Sequence, residues 1–226
     1  QRVQVSWQPL RLTEKTGGGA YGATARSVED RLKTMFAQIT KSSKPSVVWM
    51  QDLEAEKDIT KANAIFQNEN IGLAMKRFNC FTVDVQAIPD GPIKEKYFRQ
   101  IGFHFFDPKG NAVGKPLTGK RSSSLSAFNR IIERAWNKIF TMTIKDYQKQ
   151  MKKVLDGFDK VDVKKQAIDR DRAKIATKPN PAKSKQLEKD QAELDKAKKK
   201  VEELEKGIID NCMLKPEYLE SEKSAE

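Results

Sequence analysis

At 226 residues the chain is long enough for one well-buried core plus an appendage, or for two small domains. Hydrophobic residues supply only 38% and charged residues 33%, so a sizeable part of the chain has to lie outside a compact core. The formal charge of +12 favours anionic surfaces, but acidic and basic residues are interspersed, which favours solvated helix faces over a nucleic-acid stripe.

Two cysteines, Cys80 and Cys212, and the single His104 fall in no metal-ligand spacing, so neither a metal nor another cofactor is expected. No apolar run approaches the ~18 residues of a membrane span. The chain begins at Gln1 instead of Met, through a removed export signal or through trimming, and a secreted or periplasmic location is the expectation.

Residues 1–12 alternate Val3, Val5 and Trp7 on one side before Pro9, which predicts a short edge strand or an arm lying on a neighbour. Gly17-Gly18-Gly19-Ala20-Tyr21-Gly22 has neither the preceding strand nor the following Lys-Ser/Thr of a phosphate-binding loop and reads as a linker. A helix over 27–40 follows, starting at Ser27 with Glu29 and Asp30 in its first turn. Pro45 precedes a first central strand, Ser46-Val47-Val48-Trp49-Met50.

Helical spacing recurs over 54–78, interrupted at Asn68-Glu69-Asn70, which predicts two helical pieces or one kinked helix. Its second piece leads into a strand over 80–85, closed by Ile88-Pro89-Asp90-Gly91-Pro92, and 94–99 is long enough for only a turn or two of helix. The aromatic run from Phe103 stops at Asp107-Pro108-Lys109-Gly110-Asn111 and turns back into Ala112-Val113, the pattern of a hairpin. The stretch 114–122, GKPLTGKRS, nearly fits GxxxxGK[ST], but Arg121 stands where the magnesium-holding hydroxyl belongs and Pro116 removes a phosphate-cradling amide. It reads as a basic loop carrying Lys115, Lys120 and Arg121, with an N-cap within Ser122-Ser123-Ser124. The following helix, 125–140, lines its apolar face with Phe128, Ile131, Ile132, Ala135, Trp136 and Ile139.

Val47-Val48-Trp49, the long helix, the run from Asn68 to Asn79, Val83-Asp84-Val85 and Phe105-Phe106-Asp107-Pro108-Lys109-Gly110 together resemble a thioredoxin-like domain. The resemblance covers about half the chain, residues 28–140, and implies a central sheet flanked by helices. A redox-active member would carry CxxC just after the first central strand, where one thiolate is stabilised at a helix N-terminus. Here Gln51-Asp52-Leu53-Glu54-Ala55-Glu56 stands in that place, and Ile101 or Gly102 replaces the family's cis-proline. The resemblance therefore implies a redox-inactive member. Cys80, inside a strand, reads as a small apolar core residue.

Beyond Thr143 the composition shifts to Lys, Asp and Glu, and Thr143-Ile144-Lys145-Asp146 reads as a capping box. Tyr147, Val154, Val161, Ile168 and Ile175 recur every seventh residue, with Ile144, Met151 and Phe158 on a second seam that is lost at Lys165 and Arg172. Gly157 is a soft spot in this helix. Lys178-Pro179-Asn180-Pro181 makes the turn, after which Leu187, Leu194, Val201 and Ile208 repeat at seven, with Ala197 and Leu204 beside them. Two such helices predict an antiparallel coiled-coil hairpin with arms of roughly 45 Å at 1.5 Å per residue. Lys165 and Arg172 either lay their stems along the seam or are covered by a partner. After Gly207 an apolar patch, Ile208-Ile209-Asp210-Asn211-Cys212-Met213-Leu214, precedes Pro216 and an acidic tail.

The expected architecture is α/β. An arm and linker occupy 1–26, a thioredoxin-like domain 27–141, a helical hairpin 142–210 and a tail 211–226. The expected function is non-catalytic: a scaffold or assembly protein that holds partner proteins, or further copies of itself, through the hairpin. Tyr147, Met151, Val154, Phe158, Lys165, Arg172, Leu187, Leu194 and Val201 are its candidate contact residues. The alternatives are an oxidoreductase or peroxidase-like activity of an isolated cysteine, and nucleic-acid binding through Lys115, Lys120, Arg121 and the basic residues of the helical hairpin.

Overall fold

The computed structural model describes residues 2–10, 37, 43–86 and 101–219. The expected linker at 17–22, the turn at 88–92 and the helical turn at 94–99 lie outside the described residues, as does the helix over 27–40 apart from a helical Ala37. The chain divides into two compact units, Gln1–Ile144 with Leu214–Glu226, and Lys145–Met213.

The first unit is built on a mixed five-stranded sheet. Its strands are β1 (Gln8–Pro9), β2 (Ser46–Gln51), β3 (Asn79–Asp84), β4 (Gly102–Phe106) and β5 (Leu117–Thr118), in the order β1-β3-β2-β4-β5. β1 and β2 run parallel to β3, while β4 runs antiparallel to β2 and to β5. Helices α1 (Glu56–Ile65), α2 (Glu69–Met75) and α3 (Leu125–Ile139) flank it.

Register decides what the sheet buries. Val47 faces Phe105 and Trp49 faces Phe103 across the β2–β4 pair, so the strand period of two puts all four on one face. Phe66, just past α1, stacks edge-on against Phe103 at 5.5 Å, and Phe128 of α3 does so at 5.0 Å. Aromatic pairs at such distances add about 0.5–1.5 kcal/mol each beyond the area they bury.

The N-terminal segment is an arm with alternating burial: Val3 is buried and Val5 and Trp7 are half-buried, while the residues between them face water. Only Gln8–Pro9 pair with the sheet, so the strand includes Pro9 instead of ending before it. An edge position tolerates the missing amide, and Leu10 N–H donates to Thr82 O at 2.8 Å. Trp7 meets Phe66 at 5.0 Å and Trp49 at 5.5 Å.

The helical stretch over 54–78 resolves into α1 and α2, separated where Asn68 caps α2 by accepting from Asn70 N–H and Ile71 N–H. Asp107 organises the turn after β4, its Oδ1 accepting from the amides of Lys109 and Asn111, each at 2.9 Å. The returning strand differs from expectation. Ala112 makes only an isolated bridge to Phe106, and the strand that pairs with β4 is β5, five residues further on. Gly114, at φ 76°, and Pro116 lie between them and break regular pairing. Ser124 caps α3, accepting from Ala127 N–H.

After α3 the chain leaves the first unit and returns to it at Leu214, which bridges to Phe140. Lys215 N–H donates to Ile139 O at 2.9 Å, and Tyr218 of the short helix α6 (Pro216–Leu219) is buried.

The second unit is a pair of long helices, α4 (Ile144–Thr177) and α5 (Pro181–Asn211). Asn180 caps α5 with Pro181 in the first turn, the position where a proline costs no hydrogen bond. Val161, Ile168 and Leu194 form a buried cluster in it, with Leu187, Ala197 and Val201 packed against it. Lys164 reaches Glu193 at 2.6 Å and Arg172 reaches Gln191 at 3.2 Å, contacts that run antiparallel. Leu204 does not sit on the seam: it is 46% exposed, and Glu205 is half-buried in its stead.

Candidate functional site

Thiol chemistry requires an accessible thiolate. At the end of β2, where a redox pair would stand, the chain makes a tight turn in which Asp52 Oδ1 accepts from Glu54 N–H at 3.1 Å and Asp52 O from Ala55 N–H at 3.0 Å. Cys80 is buried on β3, its Sγ 3.7 Å from the carbonyl oxygens of Met75 and Phe78. Desolvation pushes its pKa from 9.0 up to about 12. Cys212, in the second unit, is buried as well. Gly102 stands at one of the two positions where the resemblance would place a proline. Its φ is 147°, and a Cβ there would lie 2.1 Å from Leu117 O, so only glycine fits against β5.

The candidate contact residues of the hairpin fall into two groups. Tyr147, Met151, Val154 and Leu194 are buried, and Phe158, Leu187 and Val201 are half-buried. Lys165 and Arg172 are exposed, and Arg172 is held by Gln191 and by Asp169 at 3.5 Å. Apolar side chains left in water on this unit are Val163 (65% exposed), Leu204, Ile209 and Met213. Val163 lies off both seams, so counting heptads passes over it.

The basic loop has a structural context that spacing alone does not give. Lys115 and Arg121 line a cleft of about 420 Å³, and Arg130 and Arg134 of α3 line it too. Lys120 does not. Val113, Pro116, Leu117, Ala127 and Ile131 supply its apolar lining, and no carboxylate lines it among the described residues. The stretch resembling a phosphate-binding loop is here divided between β5 and a 3-10 turn, Gly119–Ser123, closed by Ser122 Oγ donating to Gly119 O at 2.7 Å. The i, i+4 spacing of Arg130 and Arg134 was the available sequence signal. Their convergence with Lys115 and Arg121 depends on how α3 packs beside β5.

No helix among the described residues is long and apolar enough to cross a membrane, and among them no group of acidic, His or Cys side chains could hold a metal ion. The chain matches no protein-family model, and comparison with curated proteins and with solved structures finds no match.

Proposed function

We propose that the chain is a non-catalytic interaction or assembly protein, with a thioredoxin-like head that carries no redox chemistry and a helical hairpin that docks onto partner proteins or onto a second copy. The observation that carries this reading is the second unit. Helices of 34 and 31 residues pair along a seam that includes the buried cluster of Val161, Ile168 and Leu194, with Leu187, Ala197 and Val201 packed against it. At 1.5 Å per residue the longer helix spans roughly 50 Å, which gives a partner a long helical surface to dock on. Val163 and Leu204 supply apolar contact area along it. The sheet that sets β2 between β3 and β4, with Phe103 and Phe105 of β4 in its core, supports the thioredoxin-like reading of the head. Burial of Cys80 and Cys212 supports its redox silence.

The test is lysine cross-linking of the full chain in extract of its native host, read by mass spectrometry. Links from lysines 145–200 to a defined protein or to a second copy, reduced in Val163→Glu and Leu204→Glu variants, are expected. A chain that stays monomeric and forms only internal links overturns the reading, as would a thiol that reacts rapidly with a chromogenic disulfide at neutral pH.

A further inference from the structure

We propose that the cleft between β5 and α3 binds a compact, multiply charged phosphate group. Lys115 and Arg121 approach from the loop, and Arg130 and Arg134 stand one helical turn apart on α3. None of the four makes an ion pair among the described residues; the contact that Arg130 makes is from Nε to Ser126 O, at 3.4 Å. Glu133, between the two arginines in sequence, does not line the cleft. Like charges at i, i+4 destabilise a helix, and gathering two more beside them, with no counter-charge among the described lining residues, adds to that cost. An anion offsets it.

Three of the four cations are arginines, whose planar guanidinium pairs two N–H groups with two oxygens of a phosphate or a carboxylate. A carboxylate carries one charge and is satisfied by one such fork. Four converging cations match a group that holds several charges in a small volume, as a diphosphate does. The cations close on one concavity of about 420 Å³ instead of tracking along a face, which suits a small ligand over a nucleic-acid backbone. Pro116, Leu117 and Ile131 add an apolar wall against which the organic part of a phosphate ester can rest. The site is independent of the hairpin, and either can fail without the other.

Calorimetric titration of the full chain with inorganic pyrophosphate and with adenosine diphosphate, at constant ionic strength, tests it. Saturable one-to-one binding is expected, weakened on the order of tenfold by Arg121→Ala or by Arg134→Ala, in keeping with the loss of a charge-assisted hydrogen bond. Lys120→Ala, outside the cleft, leaves it unchanged. Tighter binding of the nucleotide identifies an organic ester as the source, and equal binding identifies free polyphosphate. No saturable binding overturns the proposal. So does affinity that survives both arginine substitutions, or binding restricted to duplex DNA or to a polyglutamate peptide.

Discussion

Val201 occupies the notch left by Gly157: a Cβ added at Gly157 would stand 2.8 Å from Val201 Cγ2 and 3.3 Å from Cγ1. By helix propensity alone Gly157→Ala should stabilise α4 by about 1 kcal/mol. Contact with a β-branched side chain, which has little freedom to move aside, opposes this with overpacking of about 1–3 kcal/mol. The substitution is therefore expected to lower stability. Val201→Ala in the same chain should return the propensity gain, leaving the double variant more stable than Gly157→Ala alone in urea melts of the hairpin signal. An additive double variant would show that the notch is not a packing contact.

Gly102→Ala is expected to be far more damaging. The backbone at φ 147° disfavours any side chain, and the new methyl would collide with Leu117 O at 2.1 Å, a backbone atom that can yield only if β5 parts from β4. A loss of about 3 kcal/mol or more follows, measurable by thermal unfolding. Ordinary stability in this variant would contradict the observed pairing of Gly102 with Thr118.

Cys80 ties stability to alkaline pH. Its neutral thiol is favoured in the folded chain, so the pKa of about 12 lies above the ordinary 9.0. Below pH 9.0 both states hold the proton and the contribution is complete; as pH rises towards 12 the unfolded chain alone ionises, and stability falls by up to about 1.4 kcal/mol per pH unit. Cys80→Ala should flatten this part of the profile, as the difference between two pH series of urea melts. Chromogenic disulfide should react with neither Cys80 nor Cys212 until the chain is denatured.

The N-terminal arm tests which contact holds it. Arg2 forms a forked pair with Glu69, at 2.8 and 2.9 Å, and Val3 packs beside Gly72 at 2% exposure. Both charged partners remain partly solvated, at 33% and 29% side-chain exposure, so the pair is worth about 0–1 kcal/mol. Truncating buried Val3 to Ala removes about 1–2.5 kcal/mol. Val3→Ala should therefore cost more than Arg2→Ala, and should make the first ten residues cleavable by dilute protease sooner. The reverse order would mean that the ion pair anchors the arm.

What was legible in the sequence was mainly local. The Asp107 turn followed from turn chemistry that needs no distant partner, and the Asn68 interruption from the preference of that side chain for capping. The strand that returns after Asp107 was not legible at Ala112, because skipping Gly114 and Pro116 to pair at Leu117 is decided by what β4 can accept. Leu204 shows the limit of counting by sevens. A helix period of 3.6 residues drifts against a repeat of 3.5, and by the end of α5 the seam has moved to Glu205. The basic cleft joins two stretches that are each readable, yet their meeting is a tertiary event.

The bridge between Phe140 and Leu214 makes the long helices a parenthesis in the chain, opened and closed on the same body. Joining those ends without the hairpin would require closing a loop of tens of residues, whose entropic cost rises with the logarithm of its length. Zipping α4 against α5 removes most of that freedom beforehand. A brief synthetic turn in its place would have few residues to order, and would close the same bridge at a lower entropic cost.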